Sequence, residues 1–235
     1  MLTLEKIAER VRSTFCGQSA YFSLAELPSN VYVPSQWQNF GLGGREQARF
    51  PATWHSCASK FPNTFSLLQR CLLGTFVLSG ERIELGYIFH DANDLYFYLG
   101  GMPLKDRPAE HSRISALSKD LFEFYLKVHD GFTFYPARSM GPQRSEDFTC
   151  VADFIDEEDT SFANNWLTIF SNGAGDCVAI DTSSRADNQG LIWWHDQPTE
   201  PELNVDIFEV MDTWMSIFLE DTLPSEDVLV QSPEA

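Results

Sequence analysis

With 235 residues, of which 43% are hydrophobic and 14% aromatic, the chain holds enough apolar material for one generous core or two small ones, which excludes a wholly disordered protein. The formal net charge of −18 is unevenly placed: residues 1–145 carry 13 acidic and 15 basic side chains, whereas 146–235 carry 21 acidic residues against Arg185 alone. Phosphates would be repelled by such a C-terminal part, which excludes nucleic acid and an anionic membrane as its partners and favours a basic protein.

Residues 2–16 place Leu4, Ile7, Ala8 and Val11 at helical spacing, and Glu5, Lys6, Glu9 and Arg10 interrupt the apolar run a signal peptide would need. No stretch approaches the ~18 apolar residues of a membrane span, so a soluble, cytoplasmic protein is expected. Residues 17–62, broken by Pro28, Pro34, Gly43, Gly44, Pro51 and Pro62, predict a loop-rich segment with aromatic anchors such as Trp37 and Trp54. "NTFSLLQRCLL" (63–73) predicts a helix stopped by Gly74. The β-branched and aromatic runs from 75 to 101 predict two or three antiparallel strands, the last two joined by a turn at 91–94. Pro103 and Pro108 mark 101–113 as a surface crossing, and 115–129 predicts a helix capped by Ser115 with Gly131 just past its end. "GFTFYP" and "DFTCVADFI" read as short strands or extended loops. Residues 166–171, 177–181 and 191–195 predict three strands, 205–221 a helix, and 223–235 an acidic tail. Consecutive strands with short links favour an antiparallel meander with helices on one face, an α+β arrangement.

Catalytic chemistry finds little support. Cysteines 16, 57, 71, 150 and 177 are odd in number, form no CxxC pair and read as reduced thiols. Cys177 sits in the apolar alternation of CVAID, where a thiol packs as a small apolar group. Three His-Asp pairs occur, His90-Asp91, His129-Asp130 and His195-Asp196, but turn and helix-end chemistry accounts for each better than a helical metal site does. The expectation is therefore no catalytic residue, no metal and no cofactor.

"FSNGAGDCVAID" (170–181) couples two strands through Gly173 and Gly175, which permit positive φ, and through Asp176, which can accept backbone N–H groups. Together with the helix ending before Gly131, the "GLIWWHD" strand ending in His195-Asp196, and the aromatic closing helix with Phe208, Trp214 and Phe218, this stretch resembles the SUKH superfamily. That is the Smi/Knr-type domain found among bacterial toxin-immunity proteins. The resemblance covers about residues 115–221 and implies an α+β fold with an antiparallel (mixed) sheet backed by helices on one face, here with an N-terminal extension. It also implies a non-enzymatic role in binding and neutralising a cognate protein toxin.

The expected organisation is an extension (1–105) packed on a SUKH-like domain (106–222), followed by the tail. The "DFIDEED" run supplies Asp153, Asp156, Glu157, Glu158 and Asp159, without the glycine or oxygen spacing of a calcium loop. Successive strand residues face opposite ways, so one of Trp193 and Trp194 is expected on an open face. That tryptophan, with Asp187, Asp196 and the 153–159 run, is the expected partner-binding site for a basic toxin. A scaffold or regulatory interaction domain, and a small metal-dependent hydrolase built on a His-Asp pair, stand as alternatives.

Overall fold

The computed structural model describes residues 1–43, 50–106, 114–156, 160–184 and 187–230. Helix α1 (Leu4–Thr14) starts where Thr3 Oγ1 accepts the Lys6 N–H, and it buries Ile7, Ala8 and Val11. After a loop-rich passage comes α2 (Pro62–Cys71), with proline at its first position, where no N–H is missed. The first sheet is antiparallel in the order β1-β2-β3-β4-β5, with β1 (Ser19–Tyr21), β2 (Gly74–Ser79), β3 (Ile83–His90), β4 (Leu95–Gly101) and β5 (Phe132–Tyr135). Asp91 Oδ1 accepts the N–H groups of Asn93 and Asp94, which closes the expected β3–β4 turn.

Helix α3 (Lys119–Lys127) is capped by Ser118, whose Oγ accepts the Leu121 N–H. The cap expected at Ser115 moves because that residue lies in a separate 3-10 turn, Ile114–Ala116. The second sheet runs β10-β9-β8-β7-β6, also antiparallel, from β6 (Gly141–Pro142), β7 (Trp166–Ser171), β8 (Cys177–Asp181), β9 (Gln189–Trp193) and β10 (Glu202–Asp206). "DFTCVADFI" is not a strand: Val151–Phe154 forms a 3-10 turn, and only Cys150 bridges to Leu167. Asp206 caps α4 (Ile207–Leu219) by accepting the N–H groups of Phe208 and Glu209, and α5 (Ser225–Val228) follows.

The main core lies between α2, α3 and α4 and one face of both sheets. It joins Trp54, Phe61 and Leu68 from the N-terminal part to Tyr87, Tyr98, Phe124, Phe132, Phe170, Val178, Phe208 and Met211. Each such side chain taken from water contributes roughly 1.5–3 kcal/mol before ordering costs. Buried Asp212 of α4 ties the halves together, accepting the N–H groups of Asn63 and Thr64 at 3.0 and 2.8 Å and so satisfying the open end of α2.

The outer face of the first sheet packs on α1 and the chain end, with Val11, Phe15, Phe76, Phe97, Val228 and Leu229 in contact. The α+β class with helix-backed antiparallel sheets stands, with two sheets in place of one and helices on both faces of the first. Residues 223–230 are not a loose tail: Leu223 N–H donates to His90 O, and Leu2 bridges Leu229. Burial of Val228 and Leu229 outweighs the exposed charges of Glu226 and Asp227 there. Residues 231–235 lie outside the described residues.

Candidate partner-binding face

Strand alternation sorts the second sheet into two faces. Val178 and Ile180 of β8 enter the main core, while Cys177 and Ala179 point outward; on β9, Leu191 and Trp193 also point outward. Trp166 of β7 lies on this outer face, and Leu203 of β10 joins it directly opposite Leu191. Residues 150–156 and 160–163 lie over part of the face and seal it with Val151, Ile155 and Ala163.

The rim of that cover stays open. Phe154 stacks on Trp193 at 6.1 Å, and Phe162 meets Trp166 edge-on at 5.5 Å. Phe154, Phe162 and Leu203 are 52%, 40% and 56% exposed, and Trp166 is partly exposed. Between Trp166 and Leu203 a hollow of 160 Å³ is lined also by Asp181, Gln189 and Leu191. Asp153 and Asp156 flank Phe154, and Asp181 and Glu202 belong to the neighbouring strands. Among the described residues from 146 to 230, no lysine or arginine offsets these carboxylates.

The expected site residues divide. Asp153, Asp156, Asp187 and Asp196 are exposed, with Asp187 and Asp196 beyond opposite ends of β9. Glu157, Glu158 and Asp159 lie outside the described residues. Trp193 is the outward tryptophan, but it is only 4% exposed, under Phe154 and with its Nε1–H donated to Pro198 O. An anchor at Trp193 is thus corrected by the crossing segment that covers it. Trp194 lies on the other face, 6.1 Å from Trp214 of α4. The residues missed are Phe154, Phe162, Trp166 and Leu203. Alternation gives Trp166, which faces away from Leu167 and Ile169, but reading 147–155 as a strand or extended loop hid Phe154.

The "SNGAGD" stretch is a turn, with Gly173 and Gly175 at φ +80 and +108. Its N–H acceptor is Asn172, whose Oδ1 takes the N–H groups of Ala174 and Asp176. Asp176 instead clamps the end of β9: its Oδ1 accepts the His195 backbone N–H at 3.1 Å and the ring Nδ1–H at 2.7 Å. Burial opposes its charge, yet the bonds from His195 and Asn172 hold the Asp176 carboxyl below its usual range. The same hydrogen bond raises His195. A Cβ at Gly175 would come within 3.0 Å of the His195 ring, so the glycine also makes room for the clamp.

Burial, then Asp176, pushes the Cys177 thiol up to about 12, so it is not a thiolate near neutral pH. His129 is buried in the main core: Nε2 accepts from Tyr87 O–H at 2.7 Å and Nδ1–H donates to Gly101 O at 3.0 Å. Among the described residues, no three His, Cys, Asp or Glu side chains converge to hold a metal ion. No helix among them is long and apolar enough to cross a membrane.

A family model described as the SMI1 / KNR4 family (SUKH-1) matches residues 85–217, more than half of the chain. The chain belongs to the SMI1/KNR4 family. The matched span runs from β3 into α4 and contains the whole second sheet, the Asp176–His195 clamp and the outer face. It begins inside the first sheet, well ahead of the boundary expected at 106. No curated protein and no solved structure gives a significant match.

Proposed function

We propose that this SMI1/KNR4 protein is a non-enzymatic immunity protein that binds a cognate bacterial toxin and blocks a basic surface on it. The observation that carries this reading is the set of exposed apolar side chains, Phe154, Phe162, Leu203 and the edge of Trp166, standing beside Asp153, Asp156, Asp181 and Glu202. Aromatic anchors seated in a partner's pockets supply slow dissociation, and the surrounding carboxylates steer a basic partner and reject an acidic one. Family membership supports protein binding over catalysis.

The test is co-expression with a toxin encoded beside this gene. Cells should survive with the wild type and die with a still-folded Phe154→Ala/Trp166→Ala variant. Death with the wild type against every neighbouring toxin would remove the immunity reading. Full protection by the double variant would remove this face from it.

A further inference from the structure

Where the first sheet meets the connection to the second, the surface opens into a polar cleft of 870 Å³, a volume in the range of small-molecule sites. One wall comes from residues 16–18 and 80–84, the other from Thr133 and residues 138–147. The first wall precedes the matched span 85–217, so the cleft is built jointly by the N-terminal part and the family domain.

Three guanidinium groups converge there on two carboxylates. Glu84 is buried and fixed: Arg138 donates to it at 2.6 and 3.1 Å, and Arg144 donates to it as well. Glu146 is held differently. Its side chain is 36% exposed, pairs with Arg82 and lies 3.7 Å from Arg144. Exposed ion pairs of this kind contribute little, so Glu146 is a displaceable carboxylate seated between two guanidinium groups. Burial lowers Arg144; Glu84 and Asp130 oppose that shift, while Arg138 and Arg82 add to it, so a further anion among the three cations is favoured. Arg138 holds a φ of +55, a strained conformation that aims its side chain at this cluster.

The same cleft also offers negative charge. Glu81 and Asp147 line it, are exposed, and pair with no lysine or arginine among the described residues. They repel a phosphate dianion and attract an ammonium group. Among the described residues no aromatic ring lines the cleft, so a nucleobase has nothing to stack on.

We infer that this cleft binds a small zwitterion, a free amino acid or a di- or tripeptide, whose carboxylate takes the seat of Glu146 between Arg82 and Arg144 while its ammonium faces Glu81 and Asp147. Glu146 then acts as a built-in competitor. The site is separate from the outer face and stands whether or not a toxin binds there.

The probes are the standard free amino acids and the matching Gly-X dipeptides, screened for a rise in melting temperature of the full chain and then titrated by calorimetry. At least one should bind, and its N-acetyl and C-terminal amide derivatives should not, since each lacks one charge. Bound ligand should also slow alkylation of exposed Cys16, at the cleft wall, by iodoacetamide, read by mass spectrometry. Arg82→Gln should weaken binding at least tenfold, whereas Glu146→Gln, which removes the competitor, should tighten it. Both side chains are largely in solvent, so both variants should melt like the wild type without ligand. Phe154→Ala should leave binding unchanged. No binding by any member of the panel would overturn the inference. So would equal binding by the blocked derivatives or by inorganic phosphate, or weaker binding by Glu146→Gln.

Discussion

His129 shows how one side chain sets a pH response. Trp54 Nε1–H donates to the Tyr87 hydroxyl at 2.8 Å, Tyr87 donates to His129 Nε2, and His129 donates to Gly101 O, so each polar group in this buried chain has one role. Burial, against the Gly101 bond, takes His129 from 6.5 down to about 3. Below 6.5 the unfolded chain takes up a proton that the folded protein refuses, so stability falls as pH drops from 6.5 towards about 3. At 1.36 kcal/mol per unit the loss is on the order of 4 kcal/mol. Urea unfolding at pH 7 and pH 4 should show it, and His129→Phe should show a smaller difference between the two. An unchanged difference would mean that the carboxylates alone cause the acid sensitivity. In the sequence, His129 reads as a helix-end residue; nothing local shows that Tyr87, 42 positions earlier, reaches its ring.

The junction of the two sheets is held by Glu84 of β3, which is 3% exposed. Arg138 grips it with two guanidinium N–H groups, and Arg144 also donates to it. Arg138 and Met140, in the connection from β5 to β6, sit at φ +55 and +57, conformations held only where surrounding contacts outweigh the strain. Burial, offset by Glu84, lowers Arg144, so the carboxylate is what keeps this cation acceptable so near the core. Glu84→Gln should cost roughly 3–5 kcal/mol in chemical unfolding, because the partly buried Arg144 then loses its close carboxylate and keeps the longer, half-exposed contact with Glu146 at 3.7 Å. A cost under about 1 kcal/mol, as for a surface pair, would contradict that role. At this scale β2, β3, β4, β7, β8 and β9 were legible, because their apolar runs or alternation match a covered sheet. By contrast β1, β6 and β10 are two to five residues long. β10 also has a register shift around Asn204 at φ +59 and no buried alternation to see.

Across the whole molecule, the extension expected over 1–105 shares one core with the rest. Trp54 packs on Phe124 and Phe132, Phe61 on Phe208, and Asp212 caps α2. Limited proteolysis should therefore release no stable 106–222 fragment, and recovery of one would show that the C-terminal part folds alone. The charge asymmetry and family pattern were visible in the sequence; the exposed aromatic side chains were not, because whether Phe154 or Trp193 meets solvent depends on how a loop lies over a sheet. We propose that the outer face holds a basic toxin, and titrating the purified toxin's activity with this protein is the direct test. Stoichiometric inhibition is expected, with a nanomolar or tighter Kd, about −12 kcal/mol, and at least tenfold faster dissociation for Phe154→Ala/Trp166→Ala. Inhibition and dissociation unchanged in that variant, or no inhibition by the wild type, would contradict it.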